Sequence, residues 1–277
     1  MIEHKKGKLI FLSYKLFDRF EYITNIISTR LGGLSRGPYS SLNVGLHVKD
    51  RNVSVIENRR RLCIGLGIES VSLTSCKQIH GSNVSIVNSK NKGKGAFEQE
   101  DAIDSCDGLI TSLEDVPLLI LIADCIPLSF FDPIYGVIGL VHGSWRGTLQ
   151  GIAQKTVYKM KEEFGCHPED IIVGIGPSIG PCCYEVKEDV IEQFNKAFPG
   201  EADSFLIKNK KDAAFLDLWT ANFLQLQETG IKKENIELSG ICTSCNSDLF
   251  YSYRAKRGET GRFCGLICLH KKTKRSY

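Results

Sequence analysis

A chain of 277 residues that is 42% hydrophobic and 24% charged has ordinary globular composition, with length for one large domain or two small ones. A net charge of +3 lies too near neutrality for a dedicated nucleic-acid binder, and no apolar run approaches the length of a membrane span. Eleven cysteines, an odd number in a long chain, argue against a disulfide framework; with no apolar stretch of signal-peptide length after Met1, they predict a cytoplasmic protein with reduced thiols.

Taken in order, the first strand signal covers residues 23–29 and empties into Ser28-Thr29-Arg30-Leu31-Gly32-Gly33. Glycine there lets backbone approach a ligand, and Arg30 would fork onto carboxylate or phosphate, although a solvated surface arginine fits the segment equally well. Ser41-Leu42-Asn43 follows as a capped turn in which Asn43 either contacts a ligand or braces the loop. A helix is predicted over 53–66, capped by Asn52 or Ser54 and stopped by Gly65 and Gly67. Strands are predicted at 84–87, 117–122 and 136–141, with a polar loop at 88–95, and a helix over 151–164 ends at Gly165.

Beyond a strand at 171–175, the segment from Gly174 to Glu185 is a loop stiffened by glycine and proline, without the Lys-Ser/Thr ending of a phosphate-binding loop. Its cysteines, Cys182 and Cys183, are adjacent and are not expected to chelate one metal together. Helices at 187–198 and 216–230 flank a loop at 208–212, and further strands are predicted at 236–241 and 263–269. Cys242-Thr243-Ser244-Cys245 has the spacing of half a zinc site or of a redox pair, but no second pair of matching spacing accompanies it. Arg254 and Arg262, with Tyr251 and Tyr253 near them, would offer a nucleobase a stacking surface and a phosphate its charge partner; core packing explains each aromatic taken singly. The basic tail 271–277 reads as a solvated terminus. Strands outnumber helices without alternating strictly with them, which predicts one α+β domain over 1–277, a mixed β-sheet flanked by helices, rather than a Rossmann fold.

Three side chains stand out. His80 in Gln78-Ile79-His80-Gly81, Cys125 in Ala123-Asp124-Cys125 and His142 in Val141-His142-Gly143 each end a short segment and meet a turn. Two imidazoles and a thiolate leave a zinc ion one open tetrahedral position, as catalytic zinc requires, and the same donors accept copper. Asp124 and Arg146 lie beside apolar strands, where charge is costly unless paired or functional; Asp124 is the carboxylate placed to move a proton. The competing explanation, satisfied structural residues at strand ends, remains open from spacing alone.

Ser28-Thr29-Arg30, Ser41-Leu42-Asn43, Glu57-Asn58-Arg59, Gln78 to Gly81, Asp107-Gly108-Leu109-Ile110-Thr111, Ala123-Asp124-Cys125, His142 to Gly147, Ile179 to Glu185 and Thr260-Gly261-Arg262 together resemble the laccase-domain family of multicopper polyphenol oxidases, now regarded as purine nucleoside phosphorylases. The likeness covers nearly the whole chain; one departure is Gly143-Ser144, where the family usually has Ala-Gly. The resemblance implies a fold similar to cysteine-hydrolase-like toxin domains, with zinc on His80, Cys125 and His142. It implies phosphorolysis of adenosine, inosine, guanosine and S-methyl-5'-thioadenosine with inorganic phosphate, and adenosine deamination besides. Copper in place of zinc would go with phenol oxidation, although six histidines are too few for multicopper chemistry. Phosphate is assigned to Arg30 and Arg254, with Arg146 and Arg262 behind them. No nucleic-acid or membrane partner is expected, and the protein would be a monomer or homodimer. Two other functions compete. One is a metal-free cysteine hydrolase or deamidase with Cys125 as nucleophile and His142 as base, which has no need of His80; the other is a non-enzymatic binder of nucleosides or phenols.

Overall fold

The computed structural model describes residues 1–208 and 213–271; most of the predicted loop at 208–212 and of the tail at 271–277 lies outside the described residues. Where one mixed sheet was expected, two are found. The first is built from β1 (Ile2–Lys6), β2 (Leu9–Ser13), β3 (Ile23–Ser28), β4 (Thr74–Ser75), β7 (Leu118–Ile122) and β15 (Phe263–Leu269), in the order β1-β2-β3-β15-β7-β4. The second contains β5 (Val84–Ile86), β6 (Gly108–Thr111), β8 (Ile126–Asp132), β9 (Val137–Gly143), β10 (Ile172–Ile175) and β14 (Ile236–Leu238), in the order β14-β10-β8-β9-β6-β5. Both are mixed: only β4–β7, β5–β6 and β10–β14 pair in parallel. A small third sheet joins β11 (Glu185–Val186), β12 (Leu206–Lys208) and β13 (Ala214–Leu216).

The apolar runs explain why two sheets form. In β7, Leu118, Ile120 and Ile122 face the core between the two large sheets, while Leu119 and Leu121 face a second core on the outer side. In β9, Ile138 and Leu140 enter the shared core, while Val137 and Val141 enter a third beneath the helices. Period-two geometry sends neighbouring residues to opposite faces, so a strand buried on both sides is apolar throughout. The outer core of the first sheet is closed by α2 (Asn52–Leu66). The far side of the second is closed by α4 (Ile152–Phe164), α5 (Glu188–Ala197) and α6 (Leu218–Glu228). Two shorter helices are α1 (Lys15–Asp18) and α3 (Trp145–Leu149). Among the described residues no helix is long and apolar enough to cross a membrane.

The long helices match the expected segments to within two residues, but neither Asn52 nor Ser54 caps α2. Arg51 is its N-cap and makes no side-chain cap, while Gly67 ends the helix in the left-handed region at φ 69°. β8 escapes a sequence reading because Pro127 argues against a central strand; here Pro127 lies opposite His142 in the β8–β9 ladder. The two large sheets come closest around glycines. A Cβ on Gly174 would lie 2.5 Å from the Tyr14 ring, which is completely buried and has nowhere to go. Gly174→Ala is therefore expected to lower stability by about 1–3 kcal/mol, the usual cost of overpacking; an unchanged urea-denaturation midpoint would contradict it.

Candidate metal centre

His80, Cys125 and His142 converge: one donor atom from each lies within 4.8 Å of the other two. They arrive from three directions. His142 sits near the end of β9, Cys125 directly precedes β8, and His80 belongs to the loop after β4. His80 and Asp124 are two of only five non-glycine residues with positive φ among those described, at 59° and 86°. Such conformations cost free energy and persist where surrounding contacts enforce them.

Asp107, fully buried, is what enforces them at His80. Its carboxylate accepts the backbone N–H groups of Ile79 (3.2 Å), His80 (3.0 Å) and Gly81 (2.7 Å), wrapping the loop around one acceptor. The same carboxylate lies 2.8 Å from His142 Nδ1. Because an ionised carboxylate only accepts, Nδ1 carries the proton and the other ring nitrogen is left for Cys125. Asp107 was legible only as part of a motif, since an aspartate before glycine reads as a turn residue. Burial alone would favour its neutral form, but the His142 partner and the three amides outweigh it and hold its pKa below the ordinary carboxylate value.

The electrostatics couple Cys125 and His142 as a thiolate–imidazolium pair, from which a metal ion would displace the ring proton. Burial would raise the Cys125 thiol, yet the His142 charge and hydrogen bond, with those of His80, bring it down to about 6. His142 moves the opposite way: burial opposes protonation, but Cys125 and Asp107 outweigh it and lift the imidazole to about 9. The His80 and His142 rings meet edge-to-face, with centroids 4.9 Å apart. A thiolate and two imidazoles, one of them held through its far nitrogen by a carboxylate, is a donor set that fits a transition metal ion.

These residues form the floor of a cavity of about 710 Å³, the size of a small-molecule site. Asp124, Arg146, Arg254 and Arg262 all line it. Arg146 stacks on Trp145 at 4.2 Å, and its guanidinium makes no hydrogen bond among the described residues. Arg254 lies 5.2 Å over the Tyr184 ring and donates to the Glu185 carbonyl. Asp124 accepts the Thr243 hydroxyl at 2.6 Å and the Arg254 amide at 2.7 Å, so it joins two cavity walls. Ser144, the residue that departs from the family pattern, caps α3 by accepting the Gly147 N–H and also reaches the His80 carbonyl.

Two expected ligand contacts are not brought to the cavity. Arg30 spends its guanidinium on the carbonyls of Ser40 and Ser247 and lies over the Tyr251 ring at 4.7 Å. Asn43, fully buried, accepts the Gly45 and Arg262 amides and donates to Asp50, so it braces the loop that carries Arg262. One lining residue was missed altogether. His47 lines the cavity with its residue surface exposed, and partial desolvation first, then the Arg262 charge, lowers its pKa, so the ring is neutral at physiological pH. Nothing in its local sequence marks it.

An α+β double-sheet fold with a three-donor His–Cys–His centre at the floor of a cationic cavity defines the class. The chain belongs to the family described as multi-copper polyphenol oxidoreductase laccase, whose model matches residues 24–270. It is 40% identical over 241 residues to the purine nucleoside phosphorylase YlmD of Geobacillus stearothermophilus, covering 87% of this chain and 88% of that one. It is 31% identical to a purine nucleoside phosphorylase of Bacteroides thetaiotaomicron, over 98% of this chain and all of the other. The crystal structure of Geobacillus stearothermophilus YlmD superposes with a TM-score of 0.91 at 36% identity, covering 98% and 99% of the two chains. A Bacillus licheniformis hypothetical protein, YfiH, superposes with a TM-score of 0.90 at 33% identity, covering 95% and 97%. The expected likeness to cysteine-hydrolase-like toxin domains finds no support among these neighbours.

If Asp107 orients the donors, Asp107→Asn should weaken metal binding by about 10–100-fold while the protein remains folded. Chelator competition measures this, and unchanged affinity in the variant would remove Asp107 from the centre.

Proposed function

We propose that the chain is a purine nucleoside phosphorylase in which phosphate displaces a purine from the ribose of adenosine, inosine, guanosine or S-methyl-5'-thioadenosine. The observation that carries the reading is the meeting, in one cavity, of aromatic faces, free guanidinium donors and the three-donor centre. The similarity to proteins named purine nucleoside phosphorylase supports it.

The reaction joins a phosphate oxygen to the anomeric carbon, and the bond from that carbon to the purine nitrogen breaks with its electron pair leaving on the base. The products are ribose 1-phosphate, or its 5-methylthio analogue from S-methyl-5'-thioadenosine, and a purine that takes up one proton. Two needs follow, an anion site on one side of the ribose and a stacking surface for the base. Arg146 meets the first need best, since its donors are uncommitted and Trp145 holds its plane; Arg254 and Arg262 add positive charge. Tyr184 and Tyr253 offer the base its faces. Asp124, with both oxygens engaged, positions Arg254 and the turn before Cys125 rather than carrying a proton.

His80, Cys125 and His142 would hold zinc, which supplies a Lewis acid on the cavity floor. Hydrolytic deamination of adenosine is the second reaction assigned to this centre; it consumes water instead of phosphate and leaves the arginines without a reacting partner. Copper fits the same donors, so phenol oxidation remains tied to metal supply. A metal-free hydrolase built on Cys125 and His142 leaves the convergence of His80 unexplained.

Inosine and phosphate incubated with metal-loaded protein should give hypoxanthine and ribose 1-phosphate; absence of both products overturns the reading. His80→Ala, Cys125→Ala and His142→Ala should each lose turnover and metal while keeping the fold, since preformed strands carry the site. Arg146→Ala should raise KM for phosphate about tenfold or more and change adenosine deamination far less. Arg30→Ala should leave KM for phosphate unchanged and lower stability by about 1 kcal/mol, because the Ser40 and Ser247 carbonyls lose their donor. Steady-state kinetics with phosphate varied separates the two arginines, and an Arg30→Ala effect on phosphate KM would return Arg30 to the site.

A further inference from the structure

A second group of thiols lies outside this centre. The sulfurs of Cys182, Cys183, Cys242 and Cys245 all fall within 4.8 Å of one another, and Cys245 Sγ is 3.6 Å from that of Cys182 and 3.4 Å from that of Cys183. The adjacent pair therefore lies where Cys242-Thr243-Ser244-Cys245 would need partners, although neighbouring cysteines were not expected to share a metal. Chain pairing brings them together. Ser178 and Cys242 form a parallel bridge, the Thr243 amide donates to the Ser178 carbonyl, and the Ser178 amide donates to the Ile241 carbonyl.

We propose that these four cysteines form a structural zinc site, closed by four thiolates and separate from the cavity centre. Zinc–sulfur bonds of about 2.3 Å place tetrahedral ligands about 3.8 Å apart, close to the 3.4 and 3.6 Å separations from Cys245 and within the 4.8 Å that spans all four sulfurs. Cys242 is buried with two backbone amides aimed at its sulfur, that of Gly180 at 3.3 Å and that of Cys245, an arrangement that suits a metal-bound sulfur. A disulfide would consume two of the sulfurs and leave two unpaired thiols beside it, whereas one tetrahedral ion engages all four. Four protein ligands leave no open position, so the ion would hold structure rather than bind substrate.

What it would hold is the cavity wall. Tyr184 follows Cys183 directly and lines the cavity, and Thr243, between Cys242 and Cys245, holds the Asp124 carboxylate. The ion would bolt the loop between β10 and β11 to the turn after β14, behind the face that carries Tyr184 and Asp124.

The inference does not rest on the nucleoside reading, and counting metal tests it. Metal-stripped, reduced protein titrated with zinc against a chromophoric chelator should bind two ions per chain. His80→Ala should bind one and Cys182→Ser/Cys245→Ser one, the latter pair chosen because both side chains are exposed and their loss leaves the core intact. Cobalt in the His80→Ala protein should show a far stronger thiolate-to-cobalt absorption per ion than cobalt in Cys182→Ser/Cys245→Ser, where one cysteine donor remains. Zinc should raise the Tm of His80→Ala but not of the protein that combines His80→Ala with Cys182→Ser and Cys245→Ser. A Cys182→Ser/Cys245→Ser protein that binds as many ions as the parent overturns the site, as does a His80→Ala protein that binds none. If the parent and His80→Ala both bind a single ion with tetrathiolate absorption, the thiol site stands and the cavity centre fails.

Discussion

The Asp107 carboxylate, fully buried, carries four hydrogen bonds, and the geometry of the cavity floor follows from it. It draws the Ile79, His80 and Gly81 amides around itself and fixes the proton on His142, so one acceptor sets both imidazoles relative to Cys125. A buried carboxylate without such partners would be expelled or neutralised. Here the amides and imidazole supply its solvation, and in return it enforces a left-handed backbone at His80 that the chain alone would avoid. Donor set, tautomer and loop conformation are thus one coupled arrangement.

The parts of the fold that announce themselves in sequence are those whose periodicity is local. The apolar runs of β7, β9 and β15 and the amphipathic α4, α5 and α6 lie within two residues of their expected positions. What a run cannot reveal is which core each alternate residue enters, and that is why one sheet was expected where two are stacked. The edge strand β1 is polar and exposed, β4 has only two residues, and Pro127 disguises β8. At the site, His80, Cys125 and His142 were legible because each interrupts an apolar segment with a coordinating group. Arg30 shows the opposite case: a guanidinium that looks ready for phosphate is taken by two carbonyls. Asp107, His47 and the pairing of cysteines some sixty residues apart depend on tertiary approach, which no local spacing encodes.

Positive charge and sulfur are distributed by burial. Arg59, fully buried, is spent on the carbonyls of Val44, Gly95 and Ala96, and burial lowers its pKa to about 10. Arg146, half in solvent over Trp145, keeps its donors for a ligand. The thiols divide similarly. Cys63, Cys264 and Cys268 sit in apolar surroundings whose burial pushes their pKa up, making them inert packing groups. Cys125 alone is pulled down by imidazoles, which separates chemistry from packing among residues of one type.

The position of β15 has a consequence for how the chain reaches this state. Residues 263–269 lie at the middle of the first sheet, between β3 and β7, with Leu266 opposite Ile26 on one side and Leu119 on the other. During synthesis the strand leaves the ribosome after every other strand of both sheets, so β3 and β7 wait with unpaired edges until it arrives. Contacts spanning some 240 positions in the chain are entropically slow to form, and waiting edges invite pairing with other chains. The shared core cannot close before that moment, because Phe263, Ile267 and Leu269 are part of it. Vulnerability to misassembly is thus concentrated in the interval before residues 263–269 emerge.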